Sequence, residues 1–259
     1  MSPEKQFLTE AASADLSDLD PLMSIWTMLD ERVAAKPHDA LFERKSGLGG
    51  TWQAVSATAF RDEVIAVAKG FVARGLQPGD RIGIMSRTRY EWTVVDFAAW
   101  AAGLVPVPIY ETSSATQVKW IIDDAGLKLV VAETAAHGAV VKQAAKAHPD
   151  LDVLVIDKDA VGQLTADGAD LEDSEVTARG EKLVSADLAT IIYTSGTTGS
   201  PKGVELTHGN FVYLTHNGKH PEGLGQVCAM PHSRTLLFMP LAHVFARFIQ
   251  VLVVPSGAV

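Results

Sequence analysis

The residues best suited to chemistry lie in one short run, YTSGTTGSPKGV, at positions 193–204. The run holds three glycines, five hydroxyl residues within seven positions and one lysine, Lys202. Glycine lets backbone N–H groups approach an anion closely, each hydroxyl adds a hydrogen-bond donor, and the lysine supplies a positive charge. Hydrogen bonds to a charged partner contribute about 1.5–3 kcal/mol each, so a few of them can hold a triphosphate. The run therefore predicts a loop that binds nucleotide phosphates.

This loop differs from the P-loop of other nucleotide-binding proteins, which ends in Gly-Lys-Ser/Thr at the start of a helix. Here Lys202 stands between Pro201 and Gly203. The alternative is a flexible Gly/Ser linker, but a linker needs neither the lysine nor the strand-like segments LATIIY and GVEL on its two sides. We also expect residues 194–202 to be poorly ordered without nucleotide, because the glycines come without apolar anchors.

The elements that must position this loop alternate between strand and helix from residue 81 to residue 156. Strands are predicted at 81–86, 104–109, 127–132 and 152–156, with helices at 89–102, 114–126 and 135–147 between them. Further helices are predicted at 22–35, 56–74, 208–217 and 243–254, and further strands at 188–193, 204–206 and 235–239. This alternation is typical of parallel β-α-β units. We therefore predict an α/β fold with doubly wound, largely parallel sheets and helices on both faces.

Two predictions concern the surface and the core. Three tryptophans, Trp92, Trp100 and Trp120, fall at helical positions and are predicted to lie in the core. The apolar segment at residues 248–254 is predicted to leave an exposed edge. The first prediction follows from helical spacing, and the second from the expectation that a further part of the protein would pack there; the packing of the folded chain tests both.

Charge is unevenly distributed along the chain. The 259 residues carry a formal net charge of −9, which argues against a general nucleic-acid binder because phosphate backbones require a basic surface. Residues 150–187 carry eleven acidic against three basic side chains, a net charge of −8. Residues 157–186 also lack apolar periodicity, so we predict that they form an acidic surface excursion outside the main sheet, with little structure or a small hairpin.

The cysteine count and the hydropathy of the chain bear on its cellular compartment. The single cysteine, Cys228, excludes an intramolecular disulfide. The start of the chain lacks the basic and apolar regions of a signal peptide, and no apolar run reaches the roughly 18 residues of a membrane-spanning helix. We expect a cytoplasmic protein with a flexible leader at residues 1–20. Peripheral membrane contact and the oligomeric state stay open.

The run at 193–204 resembles the signature of the adenylate-forming superfamily, which includes acyl-CoA synthetases, peptide-synthetase adenylation domains and firefly-type luciferases. A second segment, FMPLAHVF at 238–245, resembles the family's Pro-Leu-x-His segment near the acyl-binding site. The sequences at 81–114 and 241–252 are similar to the branch of long-chain fatty acyl-CoA synthetases. The resemblance covers about residue 22 to the end.

This resemblance implies an ATP-dependent ligase that activates a carboxylic acid as an acyl-adenylate and then forms acyl-CoA. It implies ATP, Mg²⁺ and coenzyme A as cofactors and a long-chain fatty acid as substrate. It implies catalytic roles for Lys202, which would stabilise the departing pyrophosphate, and for His243 in the acyl site, where a buried or capping histidine is the alternative. The residues that it implies for ATP binding are Thr194, Ser195, Gly196, Thr197, Thr198, Gly199 and Lys202.

The family's later motifs supply a Mg²⁺-binding acid, an aspartate for the ribose and a mobile catalytic lysine, and all would fall beyond Val259. We therefore expect residues 21–259 to be a partial N-terminal domain that is inactive alone. Two alternatives stay open: an adenylation domain for another carboxylic acid, and a non-catalytic nucleotide-binding module. No metal site is predicted, because no histidine pair at i, i+4 comes with a carboxylate.

Overall fold

The computed structural model describes residues 20–45, 49–194, 201–220, 225–228 and 233–259. The predicted leader lies outside these ranges except for Asp20. Residues 195–200 of the predicted phosphate loop also lie outside them, so the prediction about their order concerns residues that the structure does not describe.

The N-terminal part combines two helices with a small hairpin. Helix α1 (Ile25–Ala35) is followed by the antiparallel strands β1 (Ala40–Lys45) and β2 (Trp52–Ser56) and by helix α2 (Ala57–Ala73). Both helices were predicted, and each begins where a serine side chain accepts a backbone N–H, Ser24 before α1 and Ser56 before α2. The hairpin was not predicted, because β2 is largely exposed and shows no apolar alternation.

A four-stranded parallel sheet forms the centre of the fold, and its strand order is β4-β3-β5-β6. Its strands are β3 (Arg81–Met85), β4 (Val105–Ile109), β5 (Leu127–Ala132) and β6 (Asp152–Val155). They alternate with the helices α3 (Tyr90–Ala101), α4 (Ala115–Ala125) and α5 (Ala135–Ala144). Apolar side chains from the two faces of the sheet belong to two separate clusters, one with α3 and one with α4 and α5. The predicted doubly wound α/β fold is confirmed.

Helix α4 has clear start and stop signals. Ser114 and Gln117 form a capping box at its N-terminus, in which each side chain bonds the other residue's backbone. Gly126 ends the helix with φ 64°, a left-handed conformation that glycine adopts without a Cβ clash. The helix buries Val118, Ile121 and Ile122 against the sheet. Its position relative to the sheet is thereby fixed, which matters for the site below.

The predicted acidic surface excursion at residues 157–186 is helical, so the prediction of little structure or a small hairpin is wrong. A 3₁₀ turn at Ile156–Lys158 leads into α6 (Ala160–Asp167) and α7 (Asp173–Gly180), both of which pack on α2. Leu164 and Val176 are fully buried there. Each of these helices has only eight residues and few apolar contacts, so it is too short for a helical spacing of apolar residues to show in the sequence. The stretch contributes no strand to a sheet within the described residues.

The last part of the chain forms a second antiparallel hairpin and three helices. The hairpin pairs β7 (Leu188–Thr194) with β8 (Lys202–Thr207). The helices are α8 (His208–Lys219), α9 (Gly225–Cys228) and α10 (Val244–Ser256). The strand predicted at 235–239 is absent, because the Thr235 N–H donates to the Val259 carbonyl at 2.7 Å instead of entering a ladder.

Strand β7 lies beside β4 without joining its sheet. Two of the five residues of β4 are Pro106 and Pro108, and proline has no N–H to donate. The Pro106 carbonyl accepts the hydroxyl of Thr190 on β7 at 2.7 Å, so the backbone groups of Pro106 face β7. Residues two apart on a strand face the same side of the ladder, which puts Pro108 on this edge as well. The prolines therefore end the sheet at β4 and leave β7 free to pair with β8.

Helix α10 packs its apolar residues inward. Val251, Leu252, Val253 and Val254 are buried, so the predicted exposed edge at 248–254 is wrong. Exposed apolar side chains occur just before this stretch instead, at Leu236, Phe238, Val244 and Phe245. Within the described residues, no helix is long and apolar enough to cross a membrane.

Candidate functional site

The β7–β8 hairpin holds both ends of the predicted phosphate loop. Thr194 pairs directly with Lys202, and Tyr193 pairs with Gly203. The Thr194 and Lys202 side chains are both exposed. The structure thus brings the first and last residues of the predicted ATP-binding set together. The remaining members lie outside the described residues, namely Ser195, Gly196, Thr197, Thr198 and Gly199.

A cleft of about 420 Å³ opens beside the end of this hairpin. Both flanks of the predicted loop, Thr194 and Pro201, line it, and His243 lines it too. Its other lining residues are Pro108, Tyr110, Ser113, Gln117, Ile121, Ile192, Tyr193 and Val244. The structure therefore places the segment predicted to bind phosphates and the segment predicted to lie near the acyl site along one cleft. The lining residues between Pro108 and Ile121 were not predicted to be functional, because ordinary polar residues near the start of a helix show no functional pattern.

His243 combines the two roles that the sequence left as alternatives. It is the N-cap of α10, where its Nδ1 accepts the Phe245 N–H at 3.3 Å, and it is also exposed in the cleft. Because Nδ1 accepts, the neutral imidazole carries its proton on Nε2. His243 can thus donate a hydrogen bond through Nε2 while Nδ1 holds the helix start. Thr88 fixes the chain just before it, since its hydroxyl donates to the Met239 carbonyl at 2.6 Å.

A buried ion pair anchors α10 behind the cleft. The Arg247 guanidinium donates to Asp96 Oδ1 on α3 at 2.5 Å, and both side chains are fully buried. Gln250 Nε2 donates to the other carboxylate oxygen of Asp96 at 3.0 Å. A further Arg247 nitrogen donates to the Thr190 hydroxyl on β7. One guanidinium therefore joins the helix that begins at His243 to the strand that ends at Thr194.

Aromatic rings surround this guanidinium. The Arg247 Cζ atom lies 5.4 Å from the ring centre of Trp92 and 5.3 Å from that of Trp100, so both rings face the cation. Burial raises the pKa of Asp96 to about 6, while the hydrogen bonds and charge from Arg247 and Gln250 oppose that rise. The bonded guanidinium thus favours the ionised carboxylate against the effect of burial. The sequence carries no signal of this pair, because its members lie on different elements.

His208, the first residue of α8, is buried. Its side chain is fully buried, and its Nδ1 accepts the backbone N–H of Ile25 at 3.3 Å. Burial, and after it the charge of Arg247, lower the pKa of His208 to about 3. The imidazole is therefore neutral at pH 7 and acts as an acceptor that joins α1 to α8.

The tryptophans divide in two groups. Trp92 and Trp100 are fully buried, as predicted, but Trp120 is 40% exposed, so its assignment to the core is wrong. Its position on α4 faces the hairpin instead, and the indole Nε1–H donates to the Pro201 carbonyl at 2.8 Å. Helical spacing places a residue on a helix, but the neighbouring hairpin decides what the side chain contacts.

The described residues contain no group of three histidine, cysteine or acidic side chains that could hold a metal ion. This bears on the Mg²⁺ that the family resemblance implies. The described part of this chain therefore supplies no ready-made cage of acidic or histidine side chains for such an ion.

Comparison with known proteins gives consistent matches. The family described as AMP-binding enzyme matches residues 29–258. The long-chain-fatty-acid–CoA ligase FadD15 of Mycobacterium tuberculosis (strain ATCC 25618 / H37Rv) is 40% identical over 231 residues, covering 88% of this chain and 38% of FadD15. The chain thus spans about two fifths of the length of this curated relative.

Two solved structures have the same fold. A fatty acyl CoA synthetase of Mycobacterium tuberculosis superposes with a TM-score of 0.72 at 24% identity, covering 92% of this chain and 44% of that one. ATP-bound MatB of Rhodopseudomonas palustris superposes with a TM-score of 0.70 at 26% identity, covering 91% of this chain and 44% of that one.

Proposed function

The chain belongs to the AMP-binding enzyme family, and we propose that it is the part of an AMP-forming long-chain fatty acid–CoA ligase that holds the phosphates of ATP. The observation that carries this proposal is the shared cleft, on which both flanks of the phosphate loop meet His243. The 40% identity to a long-chain-fatty-acid–CoA ligase supports the substrate class. The ATP bound to MatB, 26% identical to this chain, supports the nucleotide.

The proposed reaction has two steps. A fatty acid carboxylate attacks the α-phosphorus of ATP, an acyl-adenylate forms and pyrophosphate leaves. The thiolate of coenzyme A then attacks the acyl carbon, a thioester forms and AMP leaves. Mg²⁺ enters as part of the Mg–ATP substrate and shields phosphate charge.

The residues of this chain have separate roles in the first step. Lys202 and the donors of the loop, Thr194, Ser195, Gly196, Thr197, Thr198 and Gly199, bind the β and γ phosphates. Lys202 is catalytic because charge grows on the pyrophosphate as it leaves, so a cation fixed there stabilises the transition state more than the bound substrate. His243 donates through Nε2 to a carboxylate oxygen and so holds the acid near the phosphates. The chain alone is proposed to bind the triphosphate.

Substitution of Lys202 tests the catalytic assignment. The experiment uses an extended protein, in which this chain is followed by the part of FadD15 beyond the aligned region. Lys202→Ala should slow acyl-adenylate formation in a single turnover by about 10²–10³-fold, the usual cost of losing one donor to a developing negative charge. Palmitate affinity, measured by calorimetry, should change less than about twofold, because the Lys202 side chain is exposed and is not among the residues that line the cleft.

Lys142→Ala provides the matched control, because Lys142 is an exposed lysine on α5 away from the cleft. It should leave both measurements at the wild-type level. Equal losses of adenylation rate and palmitate affinity in Lys202→Ala would refute the assignment.

A panel of acids separates the proposal from its alternatives. The extended protein should form acyl-CoA from palmitate in preference to acetate or aspartate. Preference for a different acid would indicate an adenylation domain of another specificity. Binding of ATP without turnover of any acid would indicate a nucleotide-binding module.

A further inference from the structure

Helix α4 makes one hydrogen bond to each side of the β7–β8 hairpin, next to the phosphate-binding sequence. The Tyr193 hydroxyl, on β7, donates to Asp124 Oδ2 at 2.5 Å. The Trp120 indole N–H donates to the carbonyl of Pro201, the residue before β8, at 2.8 Å. Trp120 and Asp124 are four positions apart, so they lie on one face of the helix. One helix face therefore holds both hairpin ends.

The helix is a fixed reference for these two bonds. It buries Val118, Ile121 and Ile122 against the parallel sheet, and it lines the cleft through Gln117 and Ile121. A bond from α4 to the hairpin therefore sets the distance between the cleft wall and Lys202, the first residue of β8.

Gly203 makes the Tyr193 contact possible. A Cβ added at Gly203 would lie 2.8 Å from Ile191 Cγ2, 3.2 Å from Tyr193 Cζ and 3.3 Å from the Tyr193 hydroxyl oxygen. A side chain there would therefore require Ile191 to shift and the tyrosine ring to move by a few tenths of an ångström. This glycine of the signature thus has a packing reason on β8, in addition to the anion-binding reason that its motif implies.

The chemistry of these side chains suits a positioning role. Trp120 is 40% exposed, so its indole adds little to the core, yet its N–H is aimed at a backbone carbonyl. Burial, and after it the bond to Asp124, raise the pKa of Tyr193, so the hydroxyl keeps its proton at neutral pH and remains a donor. Both links therefore persist under the conditions in which ATP is bound.

We propose that Trp120, Asp124 and Tyr193 form a clamp that positions Lys202 for the phosphates of ATP. The clamp fixes both hairpin ends against α4, so the lysine does not have to be ordered when the nucleotide binds. These three side chains are positioning residues, because they act through the hairpin and not on the substrate. This inference rests on the proposed function of the hairpin in phosphate binding.

The first test measures binding of inorganic tripolyphosphate with Mg²⁺ to the full 259-residue chain by calorimetry. Trp120→Phe and Tyr193→Phe each remove one donor and keep an aromatic ring, and each should weaken binding by about three- to tenfold. Asp124→Asn keeps an acceptor and should bind more tightly than Asp124→Ala. The controls Trp52→Phe on β2 and Asp170→Ala at an exposed position between α6 and α7 should stay within about twofold of wild type.

Lys202→Ala separates this inference from the proposed function. If it weakens tripolyphosphate binding while the clamp variants bind like wild type, the clamp is overturned and the function stands. If Lys202→Ala itself binds like wild type, or wild type does not bind, the proposed function is overturned and the clamp with it.

The second test distinguishes positioning from general stabilisation. Exchange of the indole N–H protons with solvent, followed by NMR, should be slower for Trp120 than for Trp52, whose side chain is 54% exposed. Tyr193→Phe should speed exchange at Trp120, because loss of one link loosens the hairpin that carries the other. Unchanged exchange at Trp120 in this variant would overturn the clamp, whatever the variant does to stability.

Discussion

At the scale of single residues, His208 shows how burial sets the charge state of a side chain near the site. Its ring meets that of Trp100 edge to face, with centroids 6.1 Å apart, and its Nδ1 accepts from the backbone of Ile25. Protonation of this nitrogen would break the Ile25 bond and place a cation beside Arg247. The fold therefore requires the neutral imidazole.

This requirement predicts a pH dependence of stability. The folded pKa of His208 is about 3, and the unfolded value is 6.5, so the unfolded chain takes up the proton first as the pH falls. Stability present above pH 6.5 is therefore lost progressively between about pH 6.5 and 3. His208→Asn keeps an acceptor for Ile25 and removes this titration. As the pH is lowered, the wild type should therefore lose more unfolding free energy than His208→Asn, and the difference between the two should narrow.

Urea denaturation between pH 7.5 and pH 4 provides the measurement. His38→Asn, at an exposed position in the turn after α1, is the control and should follow the wild-type pH curve. Parallel curves for wild type and His208→Asn would contradict the assignment of a lowered pKa.

At the scale of elements, the helix that begins at His243 is tied to α3 and β7 by Arg247. Removal of the cation alone should be costly, because the Asp96 carboxylate would stay buried without it. Arg247→Met should destabilise the chain by about 3–5 kcal/mol in chemical denaturation. Asp96→Leu in the same chain removes the stranded carboxylate and should restore part of the loss.

The exposed pair of Lys36 with Asp39 supplies the comparison for this prediction. Lys36→Met should cost about 0–1 kcal/mol, since an exposed ion pair contributes little. A double variant no more stable than Arg247→Met would show that the buried pair is not coupled as described.

At the scale of the whole molecule, local patterns predicted most of the architecture. The parallel sheet from Arg81 to Val155 could be predicted because its strands are mainly apolar and helix α4 begins with a clear capping serine, Ser114. The β1–β2 hairpin and the helices α6 and α7 could not, because short or exposed elements leave too few apolar positions to show a period.

The features of the candidate site also differ in whether the sequence alone shows them. The loop proposed to bind phosphates stands out in the sequence because its twelve residues are consecutive. The bond from Trp120 to Pro201 and the pair of Asp96 with Arg247 could not, because each joins residues that are distant along the chain. Such contacts depend on how elements pack, and a single sequence does not show that packing.

The central claim is that this chain supplies the phosphate-binding part of a fatty acid–CoA ligase. Palmitate-dependent exchange of radiolabelled pyrophosphate into ATP tests it most directly, in the chain alone and in the extended protein. We expect exchange from the extended protein, its loss in Lys202→Ala, and none from the chain alone. Positioning of the reactants accounts for about 7–11 kcal/mol of such a barrier, and in the proposed function the chain alone contributes the phosphate-binding part of that positioning. Exchange by the chain alone above a Lys202→Ala blank, or its absence from a folded extended protein, would contradict the account.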